Sequence, residues 1–152
     1  MAKNGQRLQS QKQQKTNPFT KRNVIVFTCV FILIFTALWL GNPELRVETF
    51  VLAFGDGIAE ALETGNGVPG NLFVKSFNTW EGEHTITEFI LFSRGDTYYG
   101  CYYSGDNEPA PFQNCGAELK QSAADLWHWR DGDNSGLTSR IFANWFYFEA
   151  SF

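Results

Sequence analysis

Acidic side chains are missing from the first 22 residues of this 152-residue chain, and charge of either sign is missing from the 19 that follow. Cysteine and histidine are scarce, at three and two residues, and no G-x-S-x-G, H-E-x-x-H, phosphate-loop or dinucleotide-binding pattern occurs. Those gaps exclude the usual encodings of serine-hydrolase, zinc-protease, nucleotide and Rossmann chemistry. A structural zinc site is excluded as well, because neither His84 nor His128 stands at motif distance from a cysteine pair.

What the chain does contain is unevenly spread. Lys3, Arg7, Lys12, Lys15, Lys21 and Arg22 give residues 1–22 a charge of +6, whereas residues 23–152 hold the other six bases and all sixteen acids, for −10. The tail is rich in Gln and Lys and nearly free of large apolar residues, so it cannot bury enough surface to fold alone. It is expected to be disordered and to rest on anionic membrane lipid, with no nucleic-acid partner. Residues 23–41, NVIVFTCVFILIFTALWLG, form a helix of roughly 28 Å against a bilayer core of about 30 Å. A soluble core helix would carry a polar stripe, and this segment has none, since Thr28 and Thr36 can turn their hydroxyls to the helix backbone. A cleaved signal would have a shorter apolar run, of about 7 to 15 residues, and a small-x-small end, which Trp39-Leu40-Gly41-Asn42 lacks. The expectation is an uncleaved transmembrane helix over 23–41 with Trp39 at the interface. Six bases precede the span and only Arg46 follows it closely, so the N-terminus is expected in the cytoplasm and residues 42–152 outside the cell membrane.

An extracytoplasmic domain permits disulfides. Cys101 and Cys115 flank a polar loop containing Gly105, Pro109 and Pro111, and a crosslink closing a loop of that size stabilises by about 3 kcal/mol. A Cys101–Cys115 disulfide is therefore expected, with two reduced thiols as the alternative and Cys29 confined to the span.

The domain reads as α+β. Asn42-Pro43-Glu44 has the form of N-cap, N1 and first-turn acid, and Leu45, Val47, Phe50, Val51, Phe54, Ile58, Ala61 and Leu62 follow at helical spacing until Thr64-Gly65. Gly55 and Gly57 predict a kink or break in its middle. Residues 72–78, 85–93 and 97–104 then alternate as strands, the last two joined by a hairpin turn at Gly95-Asp96. Residues 124–130, ADLWHWR, predict another strand, residues 138–142 a turn or two of helix capped by Thr138, and residues 145–152 a closing strand. The sheet is expected to be mostly antiparallel.

Four features could carry function. Tyr98 and Tyr102 share one strand face, as do Trp127 and Trp129, and these four are the candidate binding residues, an aromatic platform for a glycan or an envelope protein unless the rings fill the core. DGDNSG, residues 131–136, matches the first half of a calcium loop through Asp131, Asp133 and Ser135, but Phe142 stands where the bidentate Glu belongs, so a tight turn is the simpler reading and calcium the alternative cofactor. Glu83, His84 and His128 are the acid and base candidates for the alternative, a small membrane-anchored hydrolase. The sequence thus favours a single-pass, membrane-anchored binding or assembly module over an enzyme.

Overall fold

The structure is a computed structural model that describes residues 21–68, 70, 73–82 and 84–152, apart from the side chains of Lys21 and Arg22. Nearly all of the basic tail, and Glu83 with it, lies outside the described residues. The chain divides into two units, residues 1–37 and 38–152.

The described part of the first unit is helical. Helix α1, Lys21–Gly41, contains the apolar stretch Asn23–Gly41, none of which is buried by protein, so one helix near the N-terminus is long and apolar enough to cross a membrane. Thr28 turns its hydroxyl inward and donates to the Val24 carbonyl at 2.9 Å, which removes the one polar group of that turn from the helix surface.

The second unit opens with helix α2, Pro43–Thr64. Asn42 Oδ1 accepts the Leu45 N–H at 3.2 Å, Pro43 takes the N1 position, and Gly65 closes the helix at φ 70°, where a side chain would be strained. Val47, Phe50, Val51 and Ile58 form its buried stripe, each contributing about 1.5–3 kcal/mol relative to exposure. The break expected at Gly55-Asp56-Gly57 does not occur. Gly55 is a packing residue: a Cβ there would come within 3.1 Å of Val51 Cγ1 and 3.2 Å of the Trp145 ring nitrogen, so its absence lets the helix settle onto the tryptophan.

Seven strands follow: β1 (Ser76–Trp80), β2 (Ile86–Arg94), β3 (Thr97–Ser104), β4 (Lys120–Ala123), β5 (Leu126–Asp131), β6 (Asn134–Phe142) and β7 (Trp145–Ser151). Among the described residues the fold is therefore α+β, with two α-helices and one sheet in the order β1-β2-β3-β7-β6-β5-β4, every neighbouring pair antiparallel. Two local meanders, β1 to β3 and β4 to β7, meet where β3 pairs with β7. Residues 138–142, expected as helix, belong to β6. Leu137 and Ile141 imitate helical spacing, but each residue from 134 to 140 finds a cross-strand partner in β5 or β7, and those ladders decide the conformation.

The sheet is covered differently on its two faces. One face packs against α2, joining Val47, Phe50, Val51 and Ile58 to Phe89, Cys101, Tyr103, Trp145 and Tyr147. On the other face Ile86, Ile90, Tyr102, Trp129, Phe146 and Phe148 are covered by the connection between β3 and β4, residues 105–119, which carries Ala110, a single 3-10 turn at Phe112–Asn114, Ala117 and Leu119 across the strands.

Candidate functional site

The aromatic platform is core. Tyr102 is completely buried and Trp129 is 4 % exposed, because the β3–β4 connection lies over them. Tyr98 and Trp127 are partly buried against the same cluster, Tyr98 stacked near Phe112 and Trp127 edge-on to Phe146. The rings of Tyr102 and Trp129 are thus withdrawn from any partner. Periodicity places rings on a face, but it does not say which segment crosses that face.

Polar pegs fix the covering connection. The Ala110 N–H donates to Tyr102 Oη at 2.8 Å, Tyr102 lies 2.8 Å from Thr138 Oγ1, and Thr138 donates to the Tyr147 carbonyl at 2.9 Å. Since the threonine proton is used on the carbonyl, Tyr102 must donate to Thr138, and the relay runs one way with every member satisfied. Glu88 supplies a second peg. Its carboxyl, 2 % exposed, accepts the Gln113 N–H at 2.9 Å, and burial raises its pKa to about 7 against the opposing pull of that N–H. A third attachment runs through His84. Its Nδ1 lies 2.5 Å from Asp106 Oδ2, and its carbonyl accepts the Asn114 side-chain amide at 2.6 Å. The Ser104 hydroxyl, foremost, and His84 hold the Asp106 carboxyl down at about 2. Asp106 therefore only accepts, and His84 Nδ1 carries the proton. Ser104 bonds to the carboxylate and not to the imidazole, so the nucleophile-to-base contact of a triad is not formed here. The cluster instead fastens two points of the connection to the β1–β2 turn.

The disulfide is also corrected. Cys101 and Cys115 are both free thiols, the first buried and the second exposed. The Cys101 side chain packs on the α2 face, whereas the segment leading to Cys115 packs through Ala110 and Phe112 on the opposite face, so the sheet itself stands between them. Burial pushes the Cys101 thiol pKa well up and keeps it protonated.

DGDNSG is a hairpin turn. Asp131 pairs with Asn134 across the two-residue link Gly132-Asp133, and Gly132 adopts φ 60°. Asp131 and Ser135 belong to facing strands and Asp133 to the tip, in place of a chain winding around an ion. Among the described residues no group of three His, Cys, Asp or Glu side chains is gathered for a metal.

Cover on the α2 side of the sheet is uneven. Among the described residues helix α2 packs chiefly over β3 and β7, reaches β6 at its edge, and leaves the same face of β4 and β5 open. A groove of about 560 Å³ occupies that area, lined by Lys120, His128, Arg130, Leu137 and Glu149. A second hollow of about 400 Å³ continues it past Leu137 and Glu149 to the first turn of α2, where Ser139 donates to Glu44 at 3.1 Å. The registers Lys120↔His128 and His128↔Leu137↔Glu149 explain the convergence, since residues directly opposite on adjacent strands share a face. His128 had a sequence signal, its alternation with Trp127 and Trp129. Lys120 had none, because β4 (KQSA) contains a single apolar residue. Comparison with protein-family models, curated protein sequences and solved structures finds no significant match to this chain.

Proposed function

We propose that the protein is a single-pass membrane-anchored binding module, N-terminus in the cytoplasm and C-terminal domain outside, that holds an extended peptide segment of an envelope protein in the open groove over β4, β5 and β6. The observation that carries this reading is the groove itself: a concave area of the sheet with Lys120, Arg130, His128 and the carboxylates of Glu118 and Glu149 around Leu137. It adjoins β4, an edge strand of four exposed residues whose outer backbone groups have no strand partner among the described residues, which is the arrangement that strand addition uses. A glycan is disfavoured because Tyr102 and Trp129, the rings that would stack on a sugar, lie in the core. The anchor half of the reading draws on the exposed apolar helix and on the single residue, Asn42, that separates it from α2.

A photo-crosslinking amino acid at position 128 of the full chain in its native membrane tests the reading, with position 57, on exposed α2 surface, as control. A crosslinked species formed at 128, lost with Arg130→Glu and missing at 57 supports it. Equal crosslinking at both positions, or none at 128, rejects it. The hydrolase alternative has one observation in its favour, the imidazole of His84 oriented by Asp106; its requirement is ester or glycoside turnover that His84→Ala abolishes.

A further inference from the structure

Next to the end of the apolar helix, within the 38–152 unit, a groove of about 330 Å³ runs between the start of α2 and β2. Trp39, Phe50, Phe54, Phe73 and Phe92 wall it, and of its lining residues only Arg46 is charged. Phe73 is 86 % exposed at its rim and Phe54 39 %, so the two rings extend one apolar wall to the surface. The Arg46 guanidinium lies 3.7 Å from the Phe92 ring centre and 5.2 Å from that of Trp39. Arg94 approaches the same Phe92 ring at 5.9 Å and donates to the Leu40 carbonyl at 2.7 Å, on the last turn of α1. Two guanidinium groups therefore share one aromatic ring, and among the described residues neither has a carboxylate partner. Arg46 Nε is buried without a hydrogen-bond acceptor. The Arg46 pKa is lowered, by burial first and by Arg94 second, as expected of like charges held together without a counter-ion.

We propose that this groove binds an anionic phospholipid of the leaflet facing the C-terminal domain, with the phosphate held by Arg46 and Arg94 and the upper part of one acyl chain laid along Trp39, Phe54 and Phe73. The inference rests on the anchoring reading above. Three features select this occupant. Trp39 and Leu40 lie in the last turn of the apolar stretch, which ends at Gly41, so the groove begins at the level where a bilayer changes from chains to headgroups. A trough that is apolar along its length and cationic at one place matches an amphiphile, whereas a free phosphate would leave the aromatic walls wet. Two uncompensated cations favour a headgroup with net negative charge over a zwitterion, whose ammonium they would repel.

The test uses the full chain reconstituted into vesicles of phosphatidylcholine containing a minority of phosphatidylglycerol. Carbonate extraction comes first, followed by detergent release and native mass spectrometry to count the lipid molecules retained. The expected result is carbonate-resistant protein carrying phosphatidylglycerol in preference to phosphatidylcholine, with the preference falling roughly fivefold for each of Arg46→Gln and Arg94→Gln. Ala53→Trp fills the exposed trough without touching either arginine, and it is expected to abolish retention of both lipids. Carbonate-resistant wild type with no preference, or preference unchanged in the arginine variants, overturns the lipid site and leaves the anchor standing. Retention undiminished by Ala53→Trp overturns the acyl-chain placement. Protein released by carbonate overturns the anchor and the lipid site together.

Discussion

Glu88 makes the domain less stable as pH rises through the neutral range. A buried carboxyl whose folded pKa lies above its unfolded value binds more protons in the folded state, so its favourable contribution is complete below the unfolded pKa and is lost on the way to the folded one. Here the limits are 4.5 and about 7. The interval spans about two and a half pH units at about 1.4 kcal/mol each, so the greatest loss is about 3 kcal/mol, levelling off above pH 7. Relaxation of the β3–β4 connection, which can lift Gln113 and admit water, reduces that figure. Glu88→Gln keeps an acceptor for the Gln113 N–H and removes the titration. Urea unfolding of the detergent-solubilised full chain, followed by tryptophan fluorescence from pH 4.5 to 8.5, gives the difference between wild type and variant. That difference is expected to be small at the acid end and to grow in favour of Gln by one to a few kcal/mol by about pH 8. Parallel profiles, or a difference that grows toward acid, would refute the assignment of a neutral, buried Glu88. Asp106 has the opposite sign, and its contribution fades only as pH falls from 3.8 toward 2, below the window used.

Other substitutions test the packing. Gly57→Ala meets nothing within 4 Å and is expected to raise stability by up to about 1 kcal/mol through helix propensity, whereas Gly55→Ala must displace Val51 or Trp145 and should fall short of it by more than about 1 kcal/mol in the same denaturation assay. Tyr102→Phe leaves the buried Ala110 N–H without its acceptor and is expected to cost about 1–3 kcal/mol; an unchanged urea midpoint would remove the relay from the account. Maleimide should modify Cys115 in the native protein and Cys101 only after denaturation, with prior reduction altering neither. With a membrane-impermeant maleimide on intact cells, native labelling of Cys115 places the domain outside, and labelling only after lysis places it inside.

Local chemistry made part of this fold readable. Strand β3 begins and ends where expected because a Gly95-Asp96 turn precedes it and Gly105 follows it, and α2 is bounded by the cap residues Asn42 and Gly65. The errors arose where distant partners decide. Strand β6 is drawn into the sheet by β5 and β7 despite its helix-like spacing, and β4 is a strand only because β5 stands beside it. Cys101 and Cys115 are near one another in sequence, but Cys101 packs on the α2 face while the Ala110 and Phe112 segment leading to Cys115 packs on the opposite face. The same limit hid the groove: the rings of Tyr102 and Trp129 look available until residues 105–119 are laid across them, and the groove lined by Lys120, His128 and Glu149 exists only once β4, β5, β6 and β7 are aligned.

The order of the strands also sets a sequence of events in folding. Each meander consists of short-range strand pairings, whereas among the described residues the strand pairing between the two halves is that of β3 with β7, where Thr97 and Ser151 meet across 54 positions. Strand β7 follows the other six in the chain, and it supplies Trp145, Phe146 and Phe148 to both layers of the core. Until it is inserted, β3 and β6 present unpaired edges and an uncovered aromatic surface to their surroundings. A nascent chain halted anywhere before residue 145 therefore holds two half-sheets without the strand that pairs with both.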